Sequence, residues 1–196
     1  MTLAEAFRQA ATKSGPESSD FDLNPEFRPK GAKLIPAGVL VACIGPEDAP
    51  HLLLTKRSSR LKHHPGQIAF PGGKVDPGDD GPVGAALREA EEEVGLPRAS
   101  VEVLGTLPSH QTVTSFTVTP VLGWIRHDFQ PVPEAGEVDE VFTVPLAHVM
   151  DPANYVIEGR IWLGTKRRYY AVPYGPYYIW GATARILRRI AERVSA

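Results

Sequence analysis

Gly72-Gly73-Lys74-Val75-Asp76-Pro77-Gly78-Asp79-Asp80-Gly81-Pro82-Val83-Gly84-Ala85-Ala86-Leu87-Arg88-Glu89-Ala90-Glu91-Glu92-Glu93-Val94-Gly95-Leu96 joins a glycine loop to a short acidic helix. The helix has readable ends. Asp79 and Asp80 are available to cap it, Pro82 suits its first turn, and Gly95 with Pro97 stops it. At 3.6 residues per turn, Val83, Ala86, Leu87, Ala90 and Val94 form one apolar stripe. Glu89, Glu92 and Glu93 fall together on another flank. Glu89 and Glu93 are one turn apart, where like charges cost roughly 0.2–0.5 kcal/mol per pair. Arg88 can offset part of that cost by pairing with Glu92 at i+4. The plain alternative is a solvated acidic face. The glycine loop directly upstream favours a second reading, a site for a hard divalent cation. Mg²⁺ prefers oxygen ligands and is usually held by one or two carboxylates plus substrate phosphates.

These residues resemble the signature of the Nudix hydrolases, Gly-x5-Glu-x7-Arg-Glu-U-x-Glu-Glu-x-Gly-U, with U a bulky apolar residue. Arg88, Glu89, Glu92, Glu93, Gly95 and Leu96 match in place. Three positions depart from it. The first glycine should fall at Lys74, whereas the glycines stand at 72 and 73. The first glutamate position falls on Asp80, beside Asp79. The U after Arg-Glu is Ala90. The loop thus reads as one residue longer than usual, and no role is carried to Asp79 or Asp80. The resemblance implies an α/β fold, the Nudix α/β/α sandwich around a mixed β-sheet.

A second pattern precedes the glycines: Leu53-Leu54-Thr55-Lys56-Arg57-Ser58-Ser59-Arg60-Leu61-Lys62-His63-His64-Pro65-Gly66-Gln67-Ile68-Ala69-Phe70-Pro71-Gly72-Gly73. It is similar to the pattern of the coenzyme A pyrophosphatase branch of the family, Leu-Leu-Thr-x-Arg-Ser-x3-Arg-x3-Gly-x3-Phe-Pro-Gly-Gly. Lys62 stands where the second arginine is expected, and lysine lacks the bidentate fork. The residues carry a chemical logic of their own. Lys56, Arg57, Arg60 and Lys62 crowd one segment beside a candidate diphosphate site. Coenzyme A has a 3′-phosphate besides its diphosphate, and arginine grips phosphate with paired hydrogen bonds. A solvated basic loop is the alternative, and His63 and His64 read equally as surface or packing residues. Glu137–Leu146 and Tyr178–Ala184, the latter similar to a Trp-Gly-x-Thr-Ala motif, extend the likeness over about residues 34–190.

The resemblance implies metal-dependent hydrolysis of the diphosphate of coenzyme A or a derivative, giving 3′,5′-ADP and 4′-phosphopantetheine. It implies Mg²⁺ or Mn²⁺ as cofactor, with Glu89 and Glu93 as main ligands and Glu92 a third ligand or base. Arg88 is expected to orient the glutamates. Glu89 and Glu137 are both candidate general bases. Arg57, Arg60 and Lys62 would bind substrate, with Gly72 and Gly73 letting backbone approach closely. Two other readings stay open. One is a Nudix pyrophosphatase of ADP-ribose, NADH or a diadenosine polyphosphate. The other is a non-catalytic ligand-sensing or metal-binding structural module.

Composition bounds the rest. The 196 residues suit one domain, read as a helix and extended arm over 1–32 and the catalytic domain over 33–196. Apolar content of 42% and charged content of 22% are ordinary for a globular protein. A net charge of −2 gives no basic footprint for nucleic acid, so the expected partner is a small molecule. No apolar run nears the ~20 residues that span a membrane. The N-terminus lacks a signal-peptide pattern and the Val194-Ser195-Ala196 tail is no peroxisomal address, so a cytoplasmic location is expected. The single Cys43 reads as a buried small hydrophobe.

Along the chain, Leu3, Phe7, Ala10 and Ala11 predict a short amphipathic helix, and residues 14–32 an extended arm. Strands are expected at Leu34–Ile44, His51–Arg57, Val101–Leu107, Thr117–Ile125 and Val141–Val144. Two loops are expected, a polar one at His110–Ser115 and another at Asp128–Gly136. Pro145–Met150 reads as a helical turn, and Tyr155–Leu163 with Arg168–Val172 as a hairpin. Ile179 to Val194 reads as a helix with Arg185, Arg188 and Arg189 on its wet side.

Overall fold

The computed structural model describes residues 2–127, 129–162 and 164–194, and of Trp162 the backbone alone. Met1, Asp128, Leu163, Ser195 and Ala196 lie outside the described residues, so the loop, strand and tail readings that touch them stop short of those positions. In chain order the elements are α1 (Leu3–Ala10), β1 (Ser18–Ser19), β2 (Ile35–Ile44), β3 (His51–Arg57), β4 (Ile68–Ala69), β5 (Gly72–Lys74) and α2 (Gly81–Val94). There follow β6 (Val101–Thr106), β7 (His110–Gln111), β8 (Phe116–Ile125), β9 (Val138–Pro145), α3 (Leu146–Met150), β10 (Val156–Trp162), β11 (Thr165–Ala171) and α4 (Ala182–Val194).

Two long apolar strands form the centre. β2 runs parallel to β8, from Ile35 opposite Phe116 to Cys43 opposite Trp124. Antiparallel partners flank the pair: β3 and β5 on β2, β6 and β7 on β8, β4 and β9 on β3. The sheet is therefore mixed. Strand alternation sends residues of β2 into two separate cores. Leu40 and Ala42 pack with Ala86, Ala90 and Val94 of α2. Val41 and Cys43 pack with residues of α1, α3 and α4, among them Phe7, Leu146, Leu187 and Ile190. Helices on both faces explain why Leu40 to Cys43 reads as an unbroken apolar run rather than an alternating one. This is the expected α/β/α sandwich. Cys43 is fully buried, and burial raises its thiol pKa far above the usual range.

Four expectations are corrected. His110–Ser115 is not a plain loop, because His110 and Gln111 pair with both β1 and β8. The strand expected at Val141–Val144 runs from Val138 to Pro145, since β3 offers it a partner along its whole length. Asp79 does not cap α2, and Asp80, at the N-cap, makes no side-chain capping bond. Arg185, Arg188 and Arg189 are largely covered rather than wet. Arg185 pairs with Asp22 at 2.8 Å, Arg189 Nη2 donates to the carbonyl of Pro16 at 3.0 Å, and the Arg188 guanidinium lies 5.0 Å from the centre of the Tyr170 ring.

The N-terminal arm covers Arg185 and Arg189, and Tyr170 of β11 covers Arg188. A reciprocal capping box between Thr2 and Glu5 starts α1. Farther on, Ser18 Oγ bonds His110 Nδ1 at 2.9 Å, and His110 Nε2 meets Asp20 Oδ1 at 3.0 Å. The other Asp20 oxygen accepts the Val113 N–H. Asn24 closes the clamp, donating to the carbonyl of Arg168 and accepting its N–H, both at 2.8 Å. The arm thus satisfies its buried polar groups against the domain it crosses.

Candidate active site

The site lies where β3, β5 and α2 meet. The glycines that end the basic pattern become β5, antiparallel to β2, with Val39 opposite Gly72 and Gly38 opposite Gly73. This pairing holds the loop backbone against α2. A Cβ built on Gly73 would run into the Glu89 carboxylate, and one on Gly72 into the Gly38 and Val39 backbone of β2, so side chains here would push the strand off α2 and β2. The helix stops at Gly95, whose φ of 70° is left-handed, as the sequence predicts.

Arg88 organises the acidic groups. Its Nε and Nη2 donate to the two oxygens of Asp79 at 2.9 and 3.0 Å, a bidentate grip. Its Nη1 donates to Glu89 Oε1 and Glu92 Oε2, both at 3.0 Å, and its Nη2 to the carbonyl of Lys74 at 3.2 Å. One guanidinium therefore ties loop to helix and bonds two glutamates. Asp79 is the residue that sequence spacing missed. The signature count points to Asp80, but the longer loop brings Asp79 to Arg88. The Arg88 hydrogen bonds hold the Asp79 carboxyl down at about 2, with the Asp76 N–H helping. The same contacts raise the Arg88 pKa well above its ordinary value.

Glu93 points the other way, into the protein, and is only 4% exposed. Its Oε2 accepts the Gly72 N–H at 3.1 Å, and its Oε1 lies 3.8 Å from Arg57 Nη1. Burial pushes its carboxyl up to about 7, and the charges of Glu89 and Glu137 add to the rise. Burial also raises Glu89, against the lowering effect of Arg88. Glu137 sits on the exposed turn before β9, where its carbonyl accepts the Ser58 N–H at 2.8 Å, and its charge acts on both Glu89 and Glu93.

Glu89, Glu93, Arg57, Arg88, Gly72, Gly73 and Glu137 are thus brought together. Glu92 stands at the rim, its side chain 58% exposed. Arg60 and Lys62 lie on the exposed loop after β3. The C-terminal Trp-Gly-x-Thr-Ala stretch reaches the strand next to β3, where Thr183 Oγ1 donates to the carbonyl of Ile68 on β4.

Among the described residues, no three His, Cys, Asp or Glu side chains are gathered tightly enough to hold a metal ion. Glu89 and Glu92 lean on Arg88 while Glu93 leans on Gly72. The donor chemistry nevertheless fits a hard divalent cation. Glu93 is a buried carboxylate, and the nearest cation to it, Arg57, stands beyond hydrogen-bond distance. Arg57 Nε is itself buried without a hydrogen-bond partner. Such carboxylates gain from an oxygen-seeking cation.

A NUDIX domain model matches residues 34–162, well over half of the chain. The chain is 41% identical over 172 residues to "Uncharacterized Nudix hydrolase NudL" of Escherichia fergusonii, covering 88% of this chain and 89% of that protein. Solved structures share the fold at low identity. A MutT/nudix family protein from Enterococcus faecalis aligns with TM-score 0.55 at 16% identity, over all of this chain and 75% of that one. The NUDIX domain of Shewanella oneidensis NrtR, solved with ADP ribose, aligns with TM-score 0.52 at 16% identity over 99% of each chain. The arginine-bound glutamates on α2, the glycine strand against them and this agreement of sequence and fold have one source: the chain belongs to the Nudix hydrolases.

Proposed function

We propose that the protein hydrolyses the diphosphate bond of coenzyme A or a derivative of it, releasing 3′,5′-ADP and 4′-phosphopantetheine. One observation carries the reading. Arg57, from the basic stretch, stands 3.8 Å from the buried Glu93, so that stretch borders the carboxylates that would hold the cation against the diphosphate. Glu89 and Glu93 would hold Mg²⁺ or Mn²⁺, with Glu92 as a third ligand. When bound, the ion supplies charge neutralisation on the phosphates and activation of water. The chain's own residues do the remainder. Arg88 releases or retains Glu89 and Glu92 as they turn toward ligand. The Gly72 N–H keeps Glu93 in place. Either Glu137, whose charge acts on both ligands, or Glu89 would take a proton from water. Arg57, Arg60 and Lys62 would meet the phosphates, the 3′-phosphate among them. Buried, lone Cys43 suits a reducing compartment such as the cytoplasm, and no described helix is long and apolar enough to cross a membrane.

The test is a substrate panel with Mg²⁺ and Mn²⁺, read by product identity. Coenzyme A, acyl-coenzyme A, ADP-ribose, NADH and diadenosine tetraphosphate form the set. Coenzyme A should give the highest kcat/KM and yield 3′,5′-ADP. A preference for ADP-ribose or another dinucleotide would replace coenzyme A with that substrate. No metal-dependent turnover of any member would leave the ligand-sensing module as the better reading.

A further inference from the structure

β10 and β11 form a two-stranded sheet of their own, paired from Val156 opposite Ala171 to Trp162 opposite Thr165. That pairing uses one edge of β10. Along the other edge no backbone hydrogen bond joins β10 to any described residue. The strand is also apolar and open, with Val156 43%, Ile157 52% and Ile161 75% exposed. Asn24 and the Tyr178–Gly181 stretch hold the ribbon to the rest of the fold but leave the outer backbone edge of β10 open, and a free apolar edge is a template for another strand.

The strand's own sequence names the occupant. Val156-Ile157-Glu158-Gly159-Arg160-Ile161-Trp162 is complementary to itself about Gly159. Two copies laid antiparallel, with a two-fold axis at Gly159, place Ile157 opposite Ile161 and Glu158 opposite Arg160, each twice. Directly opposed residues share a face in an antiparallel pair. Four isoleucines therefore gather on one face and two Glu–Arg pairs on the other. The neighbouring registers are penalised. An axis at Glu158 sets glutamate against glutamate, an axis at Arg160 sets arginine against arginine, and a one-residue slip sets isoleucine against arginine. Parallel pairing in register also opposes like charges. We propose that β10 is the seam of a homodimer, in which two copies join through Gly159 into one four-stranded sheet. The contact is isologous, so it closes after two subunits and leaves no edge to propagate.

Sedimentation equilibrium on the full chain tests this. The wild type should approach twice the 21.3 kDa chain mass. Ile161→Lys should raise the dimer dissociation constant by at least about tenfold, equivalent to 1.4 kcal/mol. Glu158→Arg and Arg160→Glu should each do the same, and the double variant, which restores opposite charges across the axis, should recover the dimer. Circular dichroism checks that each variant is folded. A second arm does not depend on those side chains. Gly159→Cys should cross-link to a covalent dimer on mild oxidation, because its two copies meet on the axis, while Val103→Cys, exposed on β6, should not. A wild type that stays monomeric up to its solubility limit would overturn the proposal. So would a dimer indifferent to Ile161→Lys and both single charge changes, a folded double variant that stays monomeric, or a Gly159→Cys protein that cross-links no better than Val103→Cys.

Discussion

At the scale of single residues, the buried carboxylate of Glu93 sets the terms. Its folded pKa is raised, so the protonated form suits the metal-free interior. Its cost to stability is absent below about pH 4.5 and grows as the pH rises to about 7, where it ionises. Glu93→Gln removes that cost. Without metal at pH 8 the variant should be as stable as wild type or more so, by on the order of 1–3 kcal/mol, as read from urea midpoints. With Mn²⁺ the order reverses. Wild type should gain thermal stability as ligand binds the folded state, the variant should gain little, and its turnover should fall roughly 10²–10³-fold. A variant with wild-type turnover would remove Glu93 from the metal set. Arg57 carries the substrate argument. Arg57→Ala should lower kcat/KM for coenzyme A more than for 3′-dephospho-coenzyme A, and equal losses on both would detach Arg57 from the 3′-phosphate.

At the scale of elements, the junction of loop and helix is the sensitive part. Arg88 spans Asp79, Lys74, Glu89 and Glu92, so the loop and α2 are one mechanical unit. Asp79 is depressed by Arg88, so its contribution is fully present above about pH 4 and is lost as the pH falls toward about 2. The stability difference between wild type and Asp79→Asn, measured by urea titration, should shrink over that window and be flat from pH 5 to 8. Activity of the variant should also fall, because Arg88 loses the bidentate anchor that aims it. Asp80→Asn, which has no capping bond to lose, should change little. The acidic helix was legible down to its stop at Gly95, because its period and terminators are local properties. The partner of Arg88 was not, because one extra loop residue shifts which aspartate reaches it.

At the scale of the whole molecule, the arm is the feature that most changes the picture. Arginines of α4, where Arg185, Arg188 and Arg189 read from sequence as solvent-facing, meet the N-terminal segment, with Arg185 bonding Asp22, Arg189 the Pro16 carbonyl and Arg193 the Ala10 carbonyl. His110 is fully buried between Ser18 and Asp20, so His110→Ala would strand two polar partners at about 1–3 kcal/mol each. The variant should unfold at lower temperature in calorimetry, and the arm should become the first segment cut in limited proteolysis. Activity per folded molecule should fall less than stability, since Ser18, Asp20 and His110 hydrogen-bond to one another and to Val113 rather than to the α2 carboxylates. If His110→Ala keeps the wild-type melting temperature, the arm is not held as its contacts indicate.

The division between sequence and tertiary structure follows range. Periodicity, glycine placement and helix stops act over a few residues, and they revealed the acidic helix, the central strands and the family resemblance, while the glycine loop became a strand only by pairing with β2. Whether a polar side chain is wet or buried depends on segments far away in the chain. Only the folded molecule decided that Glu93 turns inward while Glu92 turns out, that Asp79 rather than Asp80 meets Arg88, that His110 lies in the core and that α4 is roofed by the arm. Burial is a property of the whole packing, and no local pattern contains it.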